Sequence, residues 1–256
     1  MPPYPIRQFP CRRDNFGVLL HDPETGNTLS IDAPEETPIL QALEREGWRL
    51  THILTTHHHD DHTAANEALK ARFDAEIVGP EAERARIPGI DRGVRGGDRL
   101  SIGSLVFEVI DTPGHTAGHV SYFVPGAGVL FAADTLFSLG CGRLFEGDAA
   151  TMWESLKRLR ALPDETLLYS GHEYTATNAR FALDVDPGNL LLQERVKEVE
   201  ALRVRGEATL PVELGREKRT NPFLRADDPE LQAAFDMAGA DPVAVFAALR
   251  TKRNGY

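Results

Sequence analysis

Between the apolar run His52-Ile53-Leu54 and the alanine-rich segment 63–70 lies Thr55-Thr56-His57-His58-His59-Asp60-Asp61-His62, with four candidate metal ligands in six residues. The apolar run reads as a strand and segment 63–70 as a helix, so the ligands fall at a strand-to-helix junction. His57 and His59 are two apart, and in extended backbone such side chains point the same way. Asp61 and His62 come after the chain has turned toward the helix and can face the same spot from another side. A His-x-His-x-Asp-His run therefore holds enough ligands to begin two adjacent metal sites. A row of histidines alone is also compatible with a solvated tract that binds metal incidentally. A fold that uses this run has to bring further ligands to the same place.

The rest of the chain offers them in the same structural position. The apolar segment 105–110 leads through Asp111-Thr112-Pro113-Gly114 to His115, segment 129–133 ends in Asp134, and segment 166–170 ends through Gly171 in His172. Four strands thus end in His or Asp, where layered α/β proteins keep their ligand sites. A glycine before His115 and before His172 lets the backbone turn sharply. We assign His57, His59 and His115 to one metal ion and Asp61, His62 and His172 to a second, with Asp134 bridging. A set without cysteine suits a catalytic site better than a closed structural one. Two such ions lie about 3.5–4 Å apart and bring the pKa of a shared water to about 7, which yields a held hydroxide. Its target is a carbonyl or phosphoryl centre. Asp61 and Asp134 are the candidate catalytic carboxylates, Asp61 being able to shuttle protons as well as bind metal. No dedicated general acid is evident, which favours a thioester, since a thiol of pKa about 8.5 leaves readily.

Composition narrows the class. A net charge of −11 argues against broad nucleic-acid binding, which needs a basic footprint. No stretch approaches a membrane span and no apolar leader segment opens the chain. The two isolated cysteines, Cys11 and Cys141, offer neither a disulfide framework nor a thiolate zinc site, so a cytoplasmic protein is expected. Length allows one large domain with an appendage. Short strands are expected over 4–32, a helix over 35–46, a weak helix over 81–87 and an amphipathic helix over 151–162. Beyond 176 no convincing strand appears, only helical stretches at 176–183, 190–204, 229–238 and 242–252, with Asp241-Pro242 as a start signal and Asn254-Gly255 as a stop. The boundary falls near Tyr174, giving an α/β catalytic domain over 1–173 and a helical domain over 174–256. Arg250, Lys252 and Arg253 make the end of the chain basic. They can receive an anion, although cations also favour a helix C-terminus for its dipole alone.

The ligand run with His115, Asp134 and His172 resembles the ligand set of the metallo-β-lactamase superfamily. Asp14-Asn15-Phe16, Gly140-Cys141-Gly142-Arg143-Leu144-Phe145-Glu146-Gly147, Gly171-His172-Glu173-Tyr174, Asn221-Pro222-Phe223 and the basic tail resemble, more closely, the hydroxyacylglutathione hydrolases (glyoxalase II). The resemblance implies a metallo-β-lactamase αββα sandwich with a C-terminal helical domain. It implies hydrolysis of S-(R)-lactoylglutathione to glutathione and D-lactate, in methylglyoxal detoxification, with two divalent ions. Zinc is the first choice, and iron and manganese are also used. It implies that Arg143, Tyr174, Arg250 and Arg253 hold the glutathione portion. The expected partner is that small thioester, with no nucleic acid or membrane, and the expected state a monomer. Two departures stand out: Arg253-Asn254 replaces the family's usual Lys-Asp ending, and Phe145 stands where some members have tyrosine. The rivals are a persulfide dioxygenase with a single iron, against which the long helical tail argues, a nuclease of the same superfamily, and a metal-stabilised binding module without activity.

Overall fold

The computed structural model describes residues 4–256. These residues form two compact units, one taking the chain up to Asp111 together with Thr116–Ala133, the other taking Thr112–His115 and Asp134–Tyr256.

In the first unit, β1 (Ile6–Cys11), β2 (Asn15–His21) and β3 (Thr28–Ile31) form an antiparallel meander. After helix α1 (Glu36–Glu46) the sheet continues parallel through β4 (His52–Leu54), β5 (Glu76–Pro80) and β6 (Arg92–Val94). α1 stops at Gly47, whose φ of 68° is the left-handed C-terminal cap that glycine adopts without strain. Its buried face, Ile39, Ala42 and Leu43, packs with Leu19, Ile53 and Ile77 of the sheet, and Leu69 joins the same cluster. Each such aliphatic side chain stabilises the fold by roughly 1.5–3 kcal/mol. β6 escapes the sequence pattern because Arg92-Gly93-Val94 carries no apolar run, unlike the equally short β4.

The helix expected after the ligand run is two pieces, α2 (Asp60–Thr63) and α3 (Asn66–Phe73). Competition for backbone partners explains the break. The carbonyl of His62 accepts from Ala33 N (2.8 Å), and Ala65 N donates to the carbonyl of Ala33 (3.0 Å), so the end of β3 captures groups a continuous helix would use. The weak helix expected next is a 3-10 turn, Glu81–Arg86. Strands β7 (Arg99–Ile102), β8 (Leu105–Asp111), β9 (Val120–Val124) and β10 (Val129–Ala133) make a second antiparallel meander. It joins the first sheet where the ligands begin, through Tyr122 Oη donating to Thr55 O (2.8 Å) and Val120 N to Thr56 O (3.0 Å).

The second unit opens with a small hairpin, β11 (Leu136–Phe137) and β12 (Gly140–Cys141), turning at Leu139 with φ 57°. Helix α4 (Ala149–Arg160) is capped by Asp148, whose carboxylate accepts from Thr151 N (2.8 Å). β13 (Leu167–Ser170) precedes α5 (Thr175–Val185) and α6 (Leu190–Val204). Contrary to the expectation of no strand beyond 176, Val212–Glu213 forms β14 and pairs with β13. A two-residue strand has no periodicity to read. Then come α7 (Leu214–Thr220), α8 (Pro229–Ala234) and α9 (Pro242–Asn254). α8 ends four residues before the expected 238 because the Gln232 amide captures the following turn, bonding Ala226 O, Gly239 N and Ala240 O. α9 starts as the Asp241-Pro242 pair predicts, with Asp241 accepting from Val243 N (2.9 Å) and Ala244 N (3.3 Å). No helix among the described residues is long and apolar enough to cross a membrane.

Residues 134–173 group with the helices, a different partition from one at Tyr174. The physical reason is the buried Glu217 of α7, which accepts from Ser138 Oγ (2.7 Å), Leu139 N (2.7 Å) and Asn221 Nδ2 (3.1 Å). Asn221 also bonds the carbonyls of Phe137 and Gly140 at 3.1 and 3.0 Å. Glu217→Ala strands these buried donors, and a urea titration should show a loss of about 3 kcal/mol in unfolding free energy.

Candidate metal centre

The first unit presents its four candidate ligands as two pairs. His57, buried beyond the end of β4, has Nε2 3.1 Å from Nδ1 of His59. His62 lies in α2, with Nε2 3.8 Å from Asp61 Oδ2. Buried partners fix both pairs. Asp32 accepts from His62 Nδ1 (2.8 Å) and from Thr56 N (2.7 Å), so the other ring nitrogen of His62 is the one left for coordination. Asn15 Nδ2 donates to the carbonyl of Asp61 (3.0 Å) and to its Oδ2 (3.2 Å).

The second unit presents three candidate ligands. Oδ2 of Asp134 lies 3.4 Å from Nε2 of His115 and 3.4 Å from Nε2 of His172. One carboxylate oxygen midway between two imidazoles is the position a ligand shared by two ions requires. His115 Nδ1 donates to the carbonyl of Arg143 (2.9 Å), which sets the tautomer and leaves Nε2 to bind metal. His172 stacks flat on Tyr174, with ring centroids 4.7 Å apart and planes 4° from parallel. Asp134 leaves β10 through Ala133 at φ 38°, a left-handed conformation that alanine adopts only under constraint. Gly142 permits the approach of the following loop, since a side chain there would collide with the carbonyl oxygen of Asp134.

These spacings can be tested against metal chemistry. Ligand atoms on a tetrahedral ion with bonds of about 2.0–2.1 Å are separated by about 3.3 Å. The separations of 3.1, 3.4 and 3.4 Å match that edge, and the donors are the imidazoles and carboxylates that divalent transition metals accept. The residues fit divalent metal ions.

The residues expected to hold an anionic substrate lie in the second unit. Arg143 is exposed, with no side-chain partner among the described residues. Arg253 is half-buried, and its Nη2 donates to Asn178 Oδ1 (3.2 Å). Burial, followed by the charges of Arg250 and Arg143, lowers the Arg253 guanidinium below its ordinary value. The positive charges of Arg250 and Arg143 thus oppose that of Arg253, while Cys141 and Tyr256 partly offset them. Arg250, expected to hold substrate, is also tied into the fold. It is 5 % exposed and stacks over Phe223. Its Nη1 donates to Cys141 O (2.8 Å) and reaches Gly142 O (3.4 Å), and its Nε donates to Asn254 Oδ1 (3.1 Å). Its Nη1 therefore shapes the loop before Arg143. Lys252 pairs with Asp184 at 2.8 Å on the surface. Phe145 is 61 % exposed and meets His115 edge-on at 5.2 Å.

Sequence reasoning missed Asp32 and Asn15. Asp32 had the available signal, because it ends β3 as Asp134 ends β10. Asn15 stood out only as part of the Asp14-Asn15-Phe16 motif, and its role stayed hidden because its target is 46 residues away.

A family model described as the metallo-beta-lactamase superfamily matches residues 23–172, and one described as hydroxyacylglutathione hydrolase C-terminus matches 173–256. A hydroxyacylglutathione hydrolase of Rhizobium meliloti (strain 1021) is 60% identical over 248 residues, 97% of each chain. Among solved structures, ETHE1 from Myxococcus xanthus is similar with a TM-score of 0.67 and 29% identity, covering 97% of this chain and 98% of that one. TTHA1623, solved in a di-iron-bound form, has a TM-score of 0.62 and 26% identity, covering 88% of this chain and 100% of that one. Asp32→Ala releases the His62 ring and should weaken binding of one zinc ion about 10–100-fold in a chelator competition assay.

Proposed function

This chain belongs to the hydroxyacylglutathione hydrolase family of the metallo-β-lactamase superfamily, and we propose from that premise how its residues perform the reaction. The reaction is hydrolysis of the thioester S-(R)-lactoylglutathione to glutathione and D-lactate. His57, His59 and His115 hold one divalent ion, Asp61, His62 and His172 hold a second, and Asp134 serves both. The observation that carries this reading is the Asp134 oxygen, 3.4 Å from each of His115 and His172. The di-iron form of TTHA1623 supports a two-ion site. A single-ion reading would leave Asp61, His62 and His172 without a role. We take both ions as zinc, since the imidazole and carboxylate set suits it, while iron and manganese suit the same donors.

When bound, the ions supply an acidified water and polarise a carbonyl oxygen. The chain's own residues do the rest. Asp61, oriented by Asn15, accepts the proton of the attacking water, whose oxygen bonds to the thioester carbon as the carbon–sulfur bond breaks. The sulfur departs with the electron pair, and a thiol of pKa about 8.5 needs little help to leave. Arg143 and Arg253 receive the carboxylates of the glutathione portion, with Tyr174 beside them. Arg250 contributes chiefly by holding the 141–142 carbonyls. The neighbouring positive charges of Arg250 and Arg143 support an anionic ligand at Arg253. We assign the helical domain to 174–256 and the catalytic domain to 1–173. The protein works as a cytoplasmic monomer, and two buried free thiols support the reducing compartment.

Incubating zinc-loaded protein with S-lactoylglutathione and following loss of the thioester absorbance tests the assignment. Asp134→Ala should lower kcat about a thousandfold or more. Arg143→Ala with Arg253→Ala should raise KM tenfold or more, at roughly 1.5–3 kcal/mol for each charged hydrogen bond lost, and leave kcat within about twofold. An unchanged KM would remove the two arginines from the substrate site.

A further inference from the structure

Glu83 lies in the 3-10 turn after β5, 1 % exposed, and coordinates nothing in the site described above. Its carboxylate is nevertheless surrounded by donors from the two segments that border the first pair of ligands. Oε2 accepts from His58 N (2.7 Å) and faces His58 Nδ1 (2.8 Å). Oε1 accepts from Thr116 Oγ1 (2.5 Å) and Gly118 N (2.9 Å). His58 is the residue between His57 and His59. Segment 116–118 leads into His119, whose buried ring stacks on His57 with centroids 4.9 Å apart. One carboxylate thus pins the backbone between two ligands and the loop that backs one of them. The fit is close, since a side chain at Gly118 would sit 2.6 Å from Cγ of Glu83.

We propose that Glu83 is a positioning residue for the ion held by His57 and His59, acting through His58 and the 116–118 loop. The inference rests on the two-ion reading given above. The backbone at His58 leaves helical or strand geometry, so nothing in the regular hydrogen-bond ladders fixes the directions of the flanking imidazoles. Glu83 supplies that restraint from one buried group. An amide cannot replace it. Each oxygen already accepts a backbone N–H, so the NH2 of a glutamine must face either His58 N or Gly118 N, donor against donor. The hydroxyl of Thr116 and the ring of His58 can reorient, but the two backbone donors cannot.

The test is zinc binding by the full chain, measured by competition with a chromophoric chelator. His59→Ala identifies the ion in question by removing it. Glu83→Gln should weaken that ion about 10–100-fold and leave the Asp61/His62 ion within about twofold. Thr116→Val, which removes one donor while keeping shape, should weaken the same ion about fivefold, and it carries the test should Glu83→Gln fail to fold. Equal weakening of both ions would mark a merely structural carboxylate and overturn the proposal, as would wild-type affinity in the two variants. Wild-type protein that binds fewer than two zinc ions would overturn the dinuclear reading itself and this inference with it.

Discussion

Imidazole nitrogens 3.1 Å apart and a carboxylate oxygen shared by two histidines persist only where surrounding groups hold them there. That constraint explains why so much buried polarity gathers beyond the strand ends. Asp32, Glu83 and Glu217 are each buried, and each collects donors from irregular backbone. A regular strand or helix satisfies its own amides, whereas a loop that presents ligands does not. A buried carboxylate with two oxygens can absorb several of those orphan donors at once, and the resulting network is rigid because losing any arm leaves a buried group unsatisfied.

The scheme divides labour between the units. In the first, short polar reaches fix the pairs: Asp32 on His62, Asn15 on Asp61, Glu83 on His58. In the second, backbone does more of the work. The carbonyl of Arg143 sets the His115 tautomer, and Arg250 holds the two carbonyls just before it. An arginine expected to touch substrate is thereby also part of the scaffold that orients a candidate metal ligand. Asn254 in place of the usual acid accepts from Arg250 without neutralising it, so the positive field of the three arginines is not diminished by a carboxylate at that position.

The candidate ligands and the strands that carry them were legible because each follows a recognisable apolar run, as in 105–110 before His115 and 129–133 before Asp134. The family resemblance was legible for the same reason, since it rests on contiguous motifs. What escaped was short or remote. β6 and β14 are three and two residues long, and both exist through pairing with a neighbour rather than through propensity. The division of the helix after His62 depends on Ala33, and the end of α8 depends on the Gln232 amide. Neither competition can be seen without knowing which backbone groups come together. The role of Glu83 was invisible for a plainer reason: its donors lie 25 to 35 residues away.

The thiol of Cys141 lies in the loop that Arg250 holds, and burial pushes its pKa up despite the two nearby arginines. Cys11 is pushed up to about 12 by burial as well. An enzyme that receives acyl thioesters faces a hazard of its own, because any accessible thiolate can take the acyl group by transthioesterification. Keeping both sulfurs protonated and covered removes that acceptor. The lactoyl carbon is then left to water rather than to the protein's own sulfur.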